Sequence, residues 1–255
     1  MRRRFFTDNF NAKSAVLRGD TAEHLGRVLR AEPGQLYELS DGERVWLARI
    51  DKVALSKRGG TRIEFALVEE IEERQPALEI RLLMSVVKFD RLEWCLEKAT
   101  ELGVTEIVLL AAARSDKALL AAVGKRRPRW EKILLESAQQ SRRLRPPVLR
   151  TTQDGARGAG VHRATRPKDA FAQASAACKL MLSERREARL MRDALSVYAE
   201  PTASLAIGPE GGWTDDELDA ARAAGFAEVS LGQSILRTET AVLAALAILG
   251  FTLGE

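Results

Sequence analysis

Apolar runs of strand length alternate with amphipathic stretches from residue 78 onwards, and this alternation constrains the fold more than any other feature. The runs are LEIRLLMSVV (78–87), EIVLLAAA (106–113), KLMLS (179–183), ASLAIG (203–208) and AEVSLG (227–232). Helices are predicted at 90–103, 128–143, 168–177, 214–225 and from about 238. Asp90 is expected to cap the first of these helices and Gly103 to end it. Strands that alternate with helices predict a mostly parallel α/β sheet.

The first seventy residues have a different pattern, in which short strands are joined by tight turns. Two pairs of alternating runs, 37–50 and 54–68, are centred on Asp41-Gly42 and Gly59-Gly60, which are typical of β-hairpins. One short helix is predicted at 19–30, with Asp20 as its N-cap. Several hairpins and one helix in so few residues predict a small barrel. We place the domain boundary in the charged stretch that ends at Pro76.

Composition excludes several classes of protein. The 255 residues are 45% hydrophobic and 30% charged, as in ordinary globular proteins. The longest uncharged apolar run, 241–253, is too short for a membrane span, and no signal-peptide pattern opens the sequence. Two histidines and two cysteines without metal-ligand spacing predict no metal site and two reduced thiols in the cytoplasm.

Positive charge is concentrated in one part of the chain. Between Arg114 and Arg150 there are eleven Lys and Arg residues against three Asp and Glu, whereas the whole chain has a net charge of only +4. A solvated helix face is the simplest interpretation of such a run. Clusters such as KRRPRW (125–130) and SRRLRPP (141–147) nevertheless favour a phosphate backbone as the partner.

Two glycine-bearing turns occur late in the chain, in IGPEGGWTDDE (207–217) and LGQSILRTETA (231–241). Each follows a predicted strand and precedes a predicted helix, and TDDE has the pattern of a capping box. Because the carboxyl ends of parallel strands meet at one edge of the sheet, both turns are expected to border a single ligand pocket. The sequence contains no P-loop, no glycine turn after the first strand and no nucleophile elbow.

These turns, together with KATELGV (98–104), HLGRVLR (24–30) and QQSRRLRPP (139–147), closely resemble the ribosomal RNA small subunit methyltransferase E family. The resemblance covers essentially the whole chain. It implies a PUA-like RNA-binding barrel at 1–74 and a SPOUT methyltransferase domain at 76–255, whose C-terminal trefoil knot holds S-adenosylmethionine. It also implies a cytoplasmic homodimer that methylates N3 of a uridine in 16S ribosomal RNA, either naked or in the assembled small subunit.

The resemblance also assigns roles to individual residues. The cofactor-binding residues are expected on three segments: Leu182 and Ser183; Gly208, Pro209, Glu210, Gly211 and Gly212; and Leu231, Gly232, Ile235, Leu236, Arg237 and Thr238. The RNA-binding residues are expected to be Arg4, Arg30, Arg114, Arg142, Arg143 and Arg145. The chain departs from the family pattern at Ser183-Glu184, where a His-Pro type ending is more usual, at Arg142, where glycine is frequent, and at the additional Pro146.

The chemistry of the implied substrate indicates the catalytic groups. Uridine N3 carries a proton and is a poor nucleophile until that proton is removed. Arg237 is expected to stabilise the developing anion, and Glu239 or Glu210 to accept the proton. Glu239 is equally well explained as a carboxylate in the first turn of a helix, where the helix dipole stabilises its negative charge.

Two other functions are compatible with parts of the sequence. A ribosome-associated RNA-binding protein without catalysis would keep the basic segment but would not need both glycine turns. An α/β enzyme acting on a free nucleotide would leave the barrel and the basic segment without a role.

Overall fold

The computed structural model describes residues 3–55, 60–72, 76–154 and 161–254. The chain forms two compact units. The first consists of Met1–Gln75 with Ala138–Pro146, and the second of Pro76–Ser137 with Pro147–Glu255. The segment Ala138–Pro146 therefore belongs to the first unit, although it is distant from the rest of that unit in sequence.

The strands are β1 (Arg4–Phe6), β2 (Ser14–Leu17), β3 (Leu36–Ser40), β4 (Val45–Ala54), β5 (Arg62–Ile71), β6 (Glu79–Ser85), β7 (Val104–Leu110), β8 (Val148–Arg150), β9 (Thr152–Asp154), β10 (Val161–Arg163), β11 (Cys178–Leu182), β12 (Arg189–Leu190), β13 (Thr202–Ile207) and β14 (Ala227–Ser230). The α-helices are α1 (Gly19–Glu23), α2 (Phe89–Glu101), α3 (Lys117–Ala121), α4 (Val123–Gln140), α5 (Pro167–Ala172), α6 (Met191–Leu195), α7 (Asp215–Ala223) and α8 (Thr238–Leu253). A π-helical turn, His24–Val28, continues α1.

The first unit is a curled, mostly antiparallel sheet with the strand order β1-β3-β4-β5-β2. The predicted hairpin at Asp41-Gly42 is confirmed as the β3–β4 connection, in which the Asp41 carboxylate accepts the Glu43 and Arg44 N–H groups. Strands β4 and β5 also pair antiparallel, and the predicted turn between them begins outside the described residues. Apolar side chains of these strands and of α1 form the core of this unit.

Two predicted helix caps are wrong. Helix α1 begins after Arg18, and Asp20 lies within its first turn without capping it. In a capping box Glu23 would turn back towards the start of this helix, but its carboxylate accepts the Thr61 N–H at 3.0 Å. Helix α2 likewise begins after Lys88. Asp90 lies in its first turn, where the helix dipole still stabilises the carboxylate. The predicted stop at Gly103 agrees with its positive φ of 90°.

The second unit contains a seven-stranded parallel sheet with the order β12-β14-β11-β13-β6-β7-β8. The five predicted strands are its centre, and the short strands β8 and β12 add one edge each. Alternate residues of the strands enter two separate cores: Leu82 and Met84 pack on one side of the sheet, whereas Leu83 packs on the other. Helices α2, α4, α6 and α8 cover the first side, and α5 and α7 cover the second. The predicted α/β sheet is confirmed.

The strand order determines where a ligand can bind. Strands β14, β11 and β13 are consecutive neighbours in the sheet. The segments that follow them therefore emerge side by side at the carboxyl edge, the usual position of a ligand in an open parallel sheet.

Candidate cofactor site

A cavity of about 1110 Å3 lies at this carboxyl edge. Three segments line it: the 182–190 segment after β11, the first glycine loop (208–213) after β13, and the second glycine loop (231–237) after β14. All of the residues predicted to bind a cofactor line this one cavity: Leu182, Ser183, Gly208, Pro209, Glu210, Gly211, Gly212, Leu231, Gly232, Ile235, Leu236, Arg237 and Thr238. The structure thus brings together three stretches that are far apart in sequence.

The first glycine loop is shaped by its own residues. Gly212 has φ +69°, a left-handed conformation that glycine adopts without steric cost, and its N–H donates to the Pro209 carbonyl at 2.9 Å. Thr214 and Glu217 form the predicted capping box at the start of α7, which is confirmed. The loop therefore has one tight turn followed immediately by a helix whose direction is fixed.

Three side-chain hydrogen bonds connect the first glycine loop, or the helix α7 that follows it, to neighbouring segments, and the sequence did not predict them. The indole N–H of Trp213 donates to the Leu182 carbonyl at 2.9 Å, linking the loop to the end of β11. Arg114 donates to the Gly211 carbonyl at 2.8 Å, and the Glu217 carboxylate accepts the Ala113 N–H at 2.8 Å. The family string places Trp213 beside the glycines, but nothing in the sequence indicates its partner.

The second glycine loop is more exposed. Gly232 has φ +139°, and Ile235 is 76% exposed. Arg237 lines the cavity and is exposed, and its side chain has no ion-pair or hydrogen-bond partner among the described residues. Arg237 is therefore a cation that an entering anionic group can engage without breaking an existing contact.

The two candidate proton acceptors occupy different positions. Glu210 lines the cavity, whereas Glu239 lies just behind it in the first turn of α8. The Arg91 guanidinium lies between them, 3.4 Å from a Glu210 carboxylate oxygen and 3.9 Å from one of Glu239. Burial raises the pKa of the Cys95 thiol to about 12, and the charge of Glu239 adds to this effect, so this thiol stays protonated.

The predicted RNA-binding arginines are divided between the two units. Arg114 lines the cavity of the second unit, whereas the other five lie in the first unit. Arg30 and Arg145 are exposed. Arg4 is only 3% exposed and donates two hydrogen bonds to Glu38, so its placement argues for a structural role.

The segment Ala138–Pro146 is attached to the sheet of the first unit through several of these residues. Arg4 donates to the Arg142 carbonyl at 2.7 Å, and Ser40 donates to the Leu144 carbonyl at 2.7 Å. Arg142 has φ +54°, the left-handed region, which gives a physical reason why glycine is frequent at this position in the family. Burial lowers the pKa of Arg143 to about 10, with a further contribution from the charge of Arg145.

Acidic partners compensate several cations of the basic helix α4. Arg129 makes two hydrogen bonds to Glu93, at 2.8 and 2.7 Å, and Arg127 pairs with Glu131. The charge run around KRRPRW therefore overstates the positive charge available to a phosphate backbone.

Neither a metal site nor a membrane span emerges from the described part of the chain. No three His, Cys, Asp or Glu side chains among these residues are close enough to share a metal ion. None of the described helices combines the length and the apolar character needed to cross a bilayer.

The chain is similar in sequence to known RNA methyltransferases. The family model described as an RNA methyltransferase domain matches residues 73–250. The ribosomal RNA small subunit methyltransferase E of Mycobacterium bovis is 32% identical over 92% of this chain and 86% of its own length. The Synechocystis protein of the same name is 33% identical over 88% of this chain and 68% of its own length.

Among solved structures, the chain is similar to a ribosomal RNA small subunit methyltransferase E from Neisseria gonorrhoeae bound to S-adenosyl methionine. The TM-score is 0.81 at 30% identity, over 100% of this chain and 99% of that one. This chain belongs to the ribosomal RNA small subunit methyltransferase E family.

Proposed function

We propose that the chain is an S-adenosylmethionine-dependent methyltransferase that modifies N3 of a uridine in the 16S RNA of the small ribosomal subunit. One observation carries the proposal: the three segments that the family resemblance selects for cofactor binding line a single cavity. The relative from Neisseria gonorrhoeae, which matches over the full chain, was solved with this cofactor bound.

The cavity suits the cofactor in size and chemistry. Its volume of about 1110 Å3 is slightly above the range of about 300–1,000 Å3 that is typical of small-molecule sites, so a ligand as large as S-adenosylmethionine has room to enter. Glycine backbone gives close access to polar main-chain groups, while Leu182, Ile207 and Leu231 supply apolar wall. We propose that Leu182, Ser183, the first glycine loop and the second glycine loop through Thr238 hold the cofactor.

The finer architecture also belongs to this proposal. Strand β12 follows β11 in sequence, yet β14, which forms much later in the chain, lies between them in the sheet. A chain that inserts its last strand between two earlier ones supports a trefoil knot in the domain 76–255. The curled five-stranded sheet supports a PUA-like barrel for residues 1–74.

Methyl transfer to N3 requires positioning and charge stabilisation. S-adenosylmethionine supplies a methyl group already activated by its sulfonium. Arg237, exposed to the cavity and without a partner among the described residues, is suited to stabilise the negative charge on the uridine ring as the N3 proton leaves. Of the two candidate proton acceptors, Glu210 lines the cavity and Glu239 does not, which favours Glu210.

The partners follow from the substrate and from the surface of α8. We propose Arg30, Arg114, Arg142, Arg143 and Arg145 as RNA contacts, and the cytoplasm as the place of action. Helix α8 exposes Phe251, which is 86% accessible, close in sequence to other apolar residues. An apolar side chain of this size left in solvent supports a homodimer.

The test uses labelled S-adenosylmethionine with small ribosomal subunits that lack their modifications and, in parallel, with naked 16S RNA. Nucleoside analysis is expected to show 3-methyluridine. Measured at saturating cofactor, because Arg237 also belongs to a proposed cofactor-binding segment, Arg237→Ala is expected to lower kcat by about a hundredfold. Arg192→Ala, an exposed arginine outside the cavity, is the matched control and is expected to behave as wild type.

Three results would contradict parts of the proposal. A different methylated nucleoside would overturn the assignment of uridine N3. If the protein binds RNA but neither binds S-adenosylmethionine nor transfers a methyl group, it is the catalytically silent RNA-binding protein instead. Full turnover of Arg237→Ala would remove the role given to this arginine.

A further inference from the structure

The two glycine loops are anchored very differently. Two side-chain hydrogen bonds fix the first: its own Trp213 donates to the Leu182 carbonyl, and Arg114 donates to the Gly211 carbonyl. The second makes no hydrogen bond through residues 232–236 to any described residue. Its position therefore depends on its two ends, which are strand β14 and helix α8.

Arg91 connects the fixed loop to one of these ends. It lies in the first turn of α2, directly after β6, which is the neighbour of β13 in the sheet. Its guanidinium is near Glu210 of the first glycine loop, at 3.4 Å, and near Glu239 of the first turn of α8, at 3.9 Å. Arg91 also lines the cavity. Sequence reasoning assigned it no role.

Glu239 gives this contact its importance. Its Oε2 atom is shielded from solvent and accepts no hydrogen bond in the described part of the chain. Arg91 is the one cation within 4.0 Å of this carboxylate among the described residues. A carboxylate oxygen removed from water favours a nearby cation, and a guanidinium has enough donors to serve two carboxylates at once.

We propose that Arg91 is a positioning residue for the cofactor cavity. By attracting Glu210 and Glu239 together, it fixes the start of α8, and hence the second glycine loop, relative to the first. This inference rests on the proposed function, because the ligand whose binding it affects is S-adenosylmethionine. Glu239 then acts through Arg91 and not as a proton acceptor.

The test measures S-adenosylmethionine binding to the full chain by calorimetry, together with KM and kcat for methyl transfer. Arg91→Met is expected to weaken cofactor binding about tenfold, because two carboxylates face one another without their shared cation. KM for the cofactor is expected to rise by a similar factor, with kcat changed less than threefold. Arg91→Lys keeps a positive charge but lacks the planar guanidinium group with its several donors, so it is expected to recover part of the affinity.

A double-mutant cycle separates this role from general destabilisation. Glu239→Gln is expected to weaken binding about as much as Arg91→Met, and the double variant to be no weaker than either single variant. The matched control is Arg129→Met, which breaks an ion pair with Glu93 of the same helix α2 but lies outside the cavity. It is expected to bind the cofactor as wild type does.

The outcomes distinguish this inference from the proposed function. If wild-type protein does not bind S-adenosylmethionine, the proposed function fails. If wild type binds and Arg91→Met binds within twofold of it, the inference about Arg91 is wrong. Should Arg91→Met fail to fold, Glu239→Gln with Arg91→Lys decides the question: unchanged affinity in both overturns the proposal, and a loss that is shared and non-additive supports it.

Discussion

Replacing Gly208 by alanine tests whether the wall of the cavity is as rigid as its contacts indicate. A Cβ atom at this position would lie 3.1 Å from two atoms of the Trp213 indole. That indole is 7% exposed, packs edge-on against Phe171 and donates its N–H to the Leu182 carbonyl. Because Phe171 packs against the ring and the Leu182 carbonyl holds its N–H, the new methyl group is expected either to compress the contact or to break the hydrogen bond.

The expected cost follows from these two alternatives. Overpacking a well-packed position costs about 1–3 kcal/mol, and leaving the Leu182 carbonyl without its donor costs a similar amount. We expect Gly208→Ala to lower the free energy of unfolding by about 2 kcal/mol, which is a fall in Tm of about 4–8 °C for a protein of this size. Thermal unfolding followed by circular dichroism, without cofactor, measures the effect on the fold alone.

Gly250→Ala is the matched control for this substitution. Gly250 lies within α8, and a Cβ atom there would meet nothing within 4 Å. Since alanine favours a helix over glycine, this variant is expected to be more stable by about 0.5–1 kcal/mol. The same chemical change should therefore have opposite signs at the two positions. A Gly208→Ala protein as stable as wild type would show that Trp213 can yield and would refute the reasoning.

Two further predictions concern the buried ionisable groups. Glu38→Gln is expected to destabilise the first unit by about 3–5 kcal/mol in urea unfolding, because Arg4 would stay buried opposite a neutral amide; a loss below 1 kcal/mol would contradict this. Burial raises the pKa of Cys95 to about 12 and of Cys178 to about 11, so both thiols should resist alkylation at pH 8.5 in the native protein. Because the unfolded thiols ionise near pH 9 and the folded ones only above it, their contribution to stability is complete below pH 9 and is lost between pH 9 and about 12. Removing Cys178 by Cys178→Ala should make this alkaline loss shallower.

Local sequence patterns predicted the elements that depend on neighbouring residues. The five central strands follow from their apolar runs, and the hairpin follows from Asp41-Gly42, where Gly42 has a positive φ within the connection from Ser40 to Val45. The capping box at Thr214 and the helix stop at Gly103 are equally local. The caps at Asp20 and Asp90 are wrong because a capping pattern does not exclude an N-cap two residues earlier, which is where both helices have it.

The residues proposed to bind the cofactor were identified by their match to sequence motifs of the family, and not by the periodicity of apolar residues. Residues 182, 208–212 and 231–238 are dispersed along the chain, and only the sheet order β14-β11-β13 places them around one cavity. No local sequence pattern indicates that the last strand is inserted between two earlier ones. Strand order depends on how all the strands and helices of the unit pack together to bury their apolar side chains.

The sequence by itself determined the alternation of strands and helices, the glycine turns and the family, since each depends on residues that are close together or on a matching string. The tertiary structure alone decided which charges are available. Arg4 and Arg237 are the same residue type in the sequence, yet the first is buried against Glu38 and the second lines the cavity. It also brought Arg91 between Glu210 and Glu239, because long-range packing of helices and strands, and not local propensity, determines which charged side chains meet.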